Sequence, residues 1–472
     1  MNKVSLFKTY ALVLLVWGGG IPTLCAEEKP AAEKTNSVQE ASDHPAAAVQ
    51  ELVSKNGIKI WLYEDQRTPI VAVKIRFVGL GSAFEPTDQK GRTEVLARTM
   101  CDGAGKFDKL GLKRALLNLG VRLNFWASND DMFCDITSFR SSLSKTIDII
   151  RDIIANPAFR DKHVKIAVNQ LCDEHKSLIE TPEYLARKTL VGTAFPDHPY
   201  GLLPTEETYK RVNSRVLRDF WSRAISAQNV FVVLVGKISA KEATELVDLI
   251  FAELPAVGSV KTIAKVSPRY FNELKIVQND VKQSIVVFFS QGIPASHPNY
   301  IAYQAANVML GGPFCSRLFK KVRDSEGLVY YVNTRIKHYA YADILVGTSE
   351  TANETAYTVV NMIKDVFYKL KFDASEQDNS KITDEELAIA KGVLLKDYLR
   401  AFSNPDALSA HLMDIRIANL PSSYLHEYPD KVRALTLGDV RNVFTNKLID
   451  PDKLTAIIVG KPILTSPPAQ SK

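Results

Sequence analysis

Two stretches of the 472-residue chain carry residues whose types and spacing could do chemistry. The first is Lys90-Gly91-Arg92-Thr93-Glu94-Val95-Leu96-Ala97-Arg98-Thr99-Met100. Residues four apart share one helix face, so two imidazoles at that spacing can hold zinc while a glutamate between them activates water. Positions 94, 97 and 98 read Glu94, Ala97 and Arg98, which supply neither imidazole nor general base and put a positive charge where a metal would sit. The eight histidines are His44, His163, His175, His198, His297, His338, His411 and His426, and none forms His-x-x-Glu-His or His-Glu-x-x-His. The nearest miss, Leu171-Cys172-Asp173-Glu174-His175, has leucine at the first ligand position.

The second stretch is Gly311-Gly312-Pro313-Phe314-Cys315-Ser316-Arg317-Leu318-Phe319, running on through Arg323 and Gly327 to Tyr330. A glycine-rich loop leads into a helix capped by Ser316 and stopped by Gly327, and a strand follows. Arg323 falls in the last helical turn and Tyr330 three residues past the glycine, so both can point at one space beside the turn. Taken singly, an arginine near a helix C-terminus suits the dipole and a tyrosine in a strand is often packing.

The elements that must position these residues repeat. Ile58 to Tyr63 and Ile70 to Val78 read as strands, Gly91 to Met100 and Leu110 to Leu119 as helices, and Asn229 to Gly236 as a buried closing strand before the helix Ala240 to Leu254. Asn272 to Val277 and Ser284 to Phe289 repeat the opening pair, and Leu454 to Gly460 repeats the closing strand. Ser214 to Ser222 and Thr436 to Phe444 each predict a helix begun by a capping hydroxyl and leading into that strand. These matches lie at offsets of 216 to 224 residues and predict an internal duplication of about 220 residues. The halves are residues 51–254 and 270–463, joined by a linker over 255–269 and followed by a tail, 464–472.

Residues 50 to 463 resemble the insulinase or pitrilysin (inverzincin) family of zinc metallopeptidases. Members place His-x-x-Glu-His where Glu94, Ala97 and Arg98 stand here, and Glu174, 76 residues beyond Arg98, lies about where the family supplies a third, carboxylate ligand. The stretch through Arg323 and Tyr330 resembles the family's Arg/Tyr motif, whose side chains hold the substrate backbone and stabilise the oxyanion of the scissile carbonyl. Asp197-His198-Pro199-Tyr200-Gly201 resembles a structural turn motif of the family, and Arg317 reads as a scaffold residue. The resemblance implies an α+β fold of two duplicated lobes, each of two related α/β-sandwich domains, forming a clamshell around a peptide chamber. It implies substrate-binding roles for Gly311 and Gly312 and for the edge strand Leu123, Asn124, Phe125 and Trp126. It also implies that this chain is the partner subunit of a two-chain enzyme: no metal or other cofactor in this chain, and zinc in a homologous His-x-x-Glu-His-bearing subunit. A peptide-binding or assembly scaffold without peptidase role is the alternative, and an autonomous metalloenzyme with unusual ligands is a third.

The N-terminus has the layout of a secretory signal: Lys3 and Lys8, the apolar run Tyr10 to Trp17, then small or polar residues to Ala26. The expectation is an exported, periplasmic protein cut after Cys25 or Ala26, with a lipid anchor on Cys25 as the lesser alternative and residues 27–50 as a flexible leader. Removing residues 1–26 leaves 446 residues and lowers the formal charge from +6 to +4. No basic block or stripe is present, which argues against nucleic acid, and no apolar run reaches the ~20 residues of a membrane span. Cys101, Cys134, Cys172 and Cys315 form no Cys-x-x-Cys pair and read as free thiols, mostly buried.

Overall fold

A computed structural model describes residues 48–463 except 260, 314 and 376–381. The signal, the leader up to residue 47 and the tail lie outside the described residues. The first half forms strands β1 (Gln50–Val53), β2 (Lys59–Glu64), β3 (Ile70–Val78), the short ribbon β4 (Gly103–Ala104) and β5 (Phe107–Asp108), then β6 (Arg122–Ala127), β7 (Asp131–Phe139) and β8 (Val230–Gly236). The second half forms β9 (Leu274–Gln278), β10 (Gln283–Gln291), β11 (Val329–Tyr339), β12 (Ala342–Ala352) and β13 (Thr455–Gly460).

The two principal sheets run β1-β2-β8-β3-β7-β6 and β11-β12-β10-β13-β9. Apart from β1, the second order is the first read in reverse. In each sheet the closing strand is parallel to the opening strand and antiparallel to its other neighbour. A strand covered on both faces needs an unbroken apolar run, and every residue of VFVVLVG in β8 and TAIIVG in β13 is buried.

The helices repeat with the strands. Helix α1 (Arg92–Thr99) follows β3; α2 (Asp161–Leu178), α3 (Pro182–Ala194) and α4 (Ser214–Ala224) complete the part of the first half used below. In the second half come α5 (Tyr300–Gly311), α6 (Ala356–Ser375), α7 (Asp384–Ala401), α8 (Pro405–Ile417) and α9 (Leu437–Thr445). Helices α2 and α7 have 18 residues each, and α3 and α8 have 13 with proline in the first turn; both pairs are 223 residues apart. Thr436 caps α9 as expected, but the cap of α4 is Asn213, whose side-chain oxygen accepts from the N–H groups of Arg215 (3.0 Å) and Val216 (3.1 Å). Ser214 is buried instead, one residue inside the helix.

The halves are not held apart. Helix α3 of the first half packs on β10 and β13 of the second, while α8 of the second packs on β3 and β8 of the first. Polar ties follow the exchange: Lys74 in β3 reaches Asp406 in α8 at 2.8 Å, and Lys275 in β9 donates to the hydroxyl of Thr193 in α3 at 3.2 Å. Asp130, in the β6–β7 turn, accepts from the Tyr200 hydroxyl (2.5 Å) and from the N–H of Ala340 (3.0 Å) in the β11–β12 turn. The α+β class and the duplication therefore hold. The internal division differs from expectation, because each half has one principal sheet among the described residues and the two units interlock into one body.

Residues 255–269 form no helix or strand among the described residues and are strapped to the first half. Pro255 accepts from the N–H of Ala227, Ser259 donates to the carbonyl of Arg223, and Arg269 donates to that of Ala194. His198 takes the structural place expected of it, with Nε2 3.0 Å from the carbonyl of Ala264 and Nδ1 accepting from the N–H of Tyr200. The four cysteines are free; Cys134 and Cys172 are buried, Cys101 is partly so, and Cys315 is exposed, contrary to the general expectation of burial. Among the described residues no helix is long and apolar enough to cross a membrane.

Candidate functional site

Helix α1 begins at Gly91, whose left-handed φ of +92° and close approach to a ring both need glycine: a Cβ there would lie 2.2 Å from Tyr209. The buried carboxyl of Glu85 satisfies the first turn, accepting from the N–H of Gly91 (2.8 Å) and of Thr93 (2.5 Å). Burial pushes that carboxyl's pKa up. Val95, Leu96 and Thr99 face the core, which turns Glu94 and Arg98 outward towards α2.

There the would-be metal positions satisfy one another. The guanidinium of Arg98 grips Glu174 of α2 through two parallel bonds of 2.8 and 2.5 Å. Glu94 accepts the hydroxyl proton of Tyr209, a buried phenol held un-ionised chiefly by burial and then by that carboxylate. His175 lies edge-on to the rings of Tyr184 and Tyr209 (5.6 and 6.3 Å between centroids), and burial lowers its pKa. Ala97 brings no functional group. Glu94, Ala97 and Arg98 on α1 and Glu174 on α2 thus stand on neighbouring helices, and Glu174 is half-exposed and paired with Arg98. Sequence reasoning missed Tyr209, which no spacing rule connects to Glu94 across 115 residues. Zinc does not fit this set: the one ligand-type carboxylate expected from the family is closed by a cation. Among the described residues no three His, Cys, Asp or Glu side chains come together as a metal site.

In the second half, Ser316 caps the turn that precedes Arg323 by accepting from the N–H of Phe319 (3.3 Å). The helix is wider than expected, a π-helix over Phe319–Ser325, a form often found at functional sites. Gly327, with φ +63°, ends it: its N–H meets the carbonyl of Arg323 (2.9 Å) and that of Leu328 meets Val322 (3.1 Å). Arg323 lies over the ring of Phe319, 4.8 Å from its centroid, with Asp324 at 3.6 Å, and 40% of its side chain is exposed. Tyr330 is 61% exposed at the start of β11, where pairing with β12 is interrupted between Val329 and Val332.

Behind this turn the support is firm. Arg317 forms two bonds with Glu386 at the start of α7 (2.8 and 2.9 Å) and one with Asp373 of α6 (2.6 Å). That is the scaffold role expected of it. Gly311 and Gly312 serve packing: a Cβ on Gly311 would lie 2.4 Å from the hydroxyl of Thr334, and one on Gly312 2.6 Å from the carbonyl of Val308. At Gly311 this is a close approach of α5 to β11, and at Gly312 an approach to the preceding turn of α5 itself. Strand β6 is an edge, as expected, pairing only with β7. Phe125 is buried in the core, while Trp126 is 38% exposed, stacked on Phe133 with its indole N–H on Asp135 (2.8 Å).

Residues 59–205 match the profile of Insulinase (Peptidase family M16), and residues 211–394 that of the Peptidase M16 inactive domain. The chain belongs to the M16 insulinase family. Among M16 relatives, it is 22% identical over 338 residues to an uncharacterized zinc protease, YmxG, of Bacillus subtilis, covering 71% of this chain and 82% of that one. It is 21% identical over 353 residues (74% and 80%) to a protein of Helicobacter pylori named as a non-peptidase homolog. The mitochondrial-processing peptidase subunit beta of Neurospora crassa matches at 19% over 424 residues (87% and 88%). In structure it resembles a peptidase M16 inactive domain from Pseudomonas fluorescens, with a TM-score of 0.80 and 22% identity over 89% of this chain and 99% of that one. The replaced ligand positions and the inactive-domain match over residues 211–394 support a non-catalytic M16 member.

Proposed function

We propose that the chain is the non-catalytic subunit of a heterodimeric zinc endopeptidase of the periplasm, completing an active site whose zinc, activated water and general base come from a homologous subunit. Arg323 and Tyr330 donate hydrogen bonds to the oxyanion formed on the scissile carbonyl of an unfolded peptide. The observation that carries this reading is their exposure: both flank Gly327 at the surface, on a turn that Arg317 ties to α6 and α7. Because the two halves interlock, the peptide chamber forms between this chain and its partner. Likeness to alpha and beta subunits of mitochondrial-processing peptidase supports pairing of this type. The open edge of β6 gives an extended peptide a strand to pair with. A peptide-binding scaffold without peptidase role is the second reading, supported by the non-peptidase relative.

The test is to mix Arg323→Ala or Tyr330→Phe with the zinc-bearing partner, verify the complex by size-exclusion chromatography, and measure cleavage of an unstructured peptide at saturating substrate. Loss of one oxyanion donor costs about 10²–10³ in kcat, roughly 3–4 kcal/mol. Wild-type rates in both intact complexes would give the scaffold reading the lead.

A further inference from the structure

A cavity of about 420 Å³ lies away from both regions described above, between the N-terminus of α1, the outer face of α4 and the linker. Its walls include the rings of Phe84 and Phe220, and three cations line it: Arg92, Arg223 and Lys261. Asp219 is the single carboxylate in the lining. Arg223 and Lys261 are exposed, but Arg92 is 8% exposed, buried beneath the linker side of the cavity.

Among the described residues no carboxylate forms an ion pair with this buried arginine, although Glu85 and Asp88 act on it through their fields. Its guanidinium lies over Phe220, 3.6 Å from the ring centroid, and its Nε has no hydrogen-bond partner. Its remaining contact is a long 3.4 Å bond from Nη1 to the side-chain oxygen of Gln89. Glu85, the acid whose field acts on it most, is committed to the N–H groups of Gly91 and Thr93. Asp219 is 3.9 Å from Arg215, a surface pair, while its backbone carbonyl takes the Nε of Arg223 at 2.8 Å. A buried cation without a counter-charge is costly, and a protein normally neutralises it or fills the space beside it with an anion.

The lining also limits the anion. Aromatic rings beside a planar guanidinium suit a carboxylate bearing one bulky apolar group; a phosphate would leave the apolar surface uncovered. We propose that this cavity is a binding site for such an apolar carboxylate, with Arg92 as the buried counter-ion and Arg223 and Lys261 closing over the charge from the rim. The free C-terminus of a peptide ending in a large apolar residue and a free small acid both present that chemistry. The inference does not depend on the proposed peptidase partner, since no residue of the cavity belongs to the Arg323 turn.

The experiment is calorimetric titration of the purified chain with N-acetyl-leucine, N-acetyl-leucinamide, a pentapeptide ending in leucine, and inorganic phosphate. The acid binds at least tenfold more tightly than the amide, and Arg223→Gln and Lys261→Gln each weaken it several-fold. Arg92→Met removes binding; because that variant alters a buried site, circular dichroism accompanies it, and the two rim variants carry the test if it fails to fold. A pentapeptide that binds as tightly as the small acid identifies a peptide C-terminus as the ligand, and one that binds more weakly identifies a free acid. Equal binding of acid and amide, no binding of either, phosphate binding as tight as the acid, or rim variants without effect would each overturn the proposal.

Discussion

The two halves treat the helix-and-turn regions that carry their candidate chemistry in opposite ways. In the first, the polar groups at the family's metal positions turn on one another, Arg98 onto Glu174 and the Tyr209 hydroxyl onto Glu94, beside an otherwise regular α-helix. In the second, Arg323 on a π-helical turn and Tyr330 at the start of β11 face solvent, and a separate arginine, Arg317, anchors that turn from behind. The difference teaches how to tell an abandoned site from a usable one. Where a ligand set is lost, the remaining carboxylates find partners inside the chain. Where reactive groups are presented, another residue does the structural work.

The largest expected effect comes from trying to erase the difference. Glu94→His, Ala97→Glu and Arg98→His together free Glu174 and restore two imidazoles and a base, so the triple variant should take up one zinc per chain, read by metal analysis after dialysis. A variant that stays metal-free with its fold intact would mean that the helices no longer stand at ligand distance.

Next in size is Arg317→Ala, which leaves the half-buried carboxylates of Asp373 and Glu386 facing each other. We expect a loss of about 2–4 kcal/mol in denaturant unfolding, and with it lower activity in the complex even though Arg323 is untouched. A change below ~0.5 kcal/mol would show that the turn does not depend on this anchor.

The junction between the halves should respond to pH. Burial, the largest cause, pushes the carboxyl of Asp130 up to about 6, against the lowering effect of its bonds from Tyr200 and Ala340. A raised folded value means that the stabilising contribution is full below the unfolded value near 4 and is lost as pH rises through about 6. Wild-type stability should therefore fall between pH 4 and 6 by up to about 2–3 kcal/mol relative to Asp130→Asn, followed by thermal or denaturant unfolding across that range. Parallel curves would remove this group from the junction's pH dependence.

The smallest effect belongs to the first half's ion pair. Arg98 and Glu174 are 40% and 49% exposed, so Arg98→Ala should cost no more than about 1 kcal/mol and leave cleavage by the complex within about twofold of wild type. A loss comparable with that of Arg323→Ala would place catalytic work in the first half and undo the contrast.

Much of the architecture was legible because its signals are local. The apolar runs of β8 and β13, the cap at Thr436, the stop at Gly327 and the repeat near 220 residues are all written in neighbouring residues. The fate of Glu94, Ala97 and Arg98 was legible as an absence of imidazoles. The exchange of α3 and α8 between the halves was not, since an amphipathic helix shows that it will be covered and not by which sheet. The packing role of Gly311 was hidden likewise, because it depends on Thr334 lying within reach.

By itself, then, the sequence determined the α+β elements, their duplication and which chemical groups each half could offer, because propensity, capping and side-chain type are properties of residues and their near neighbours. Tertiary structure alone decided that Tyr209 meets Glu94, that Arg317 stands behind Arg323, that Arg92 is buried beside a cavity and forms no ion pair there, and that two units of similar order interlock into one body. Those outcomes depend on distances between residues 50 to 330 positions apart, which are set by how the two sheets and their exchanged helices share burial, and no local pattern encodes them.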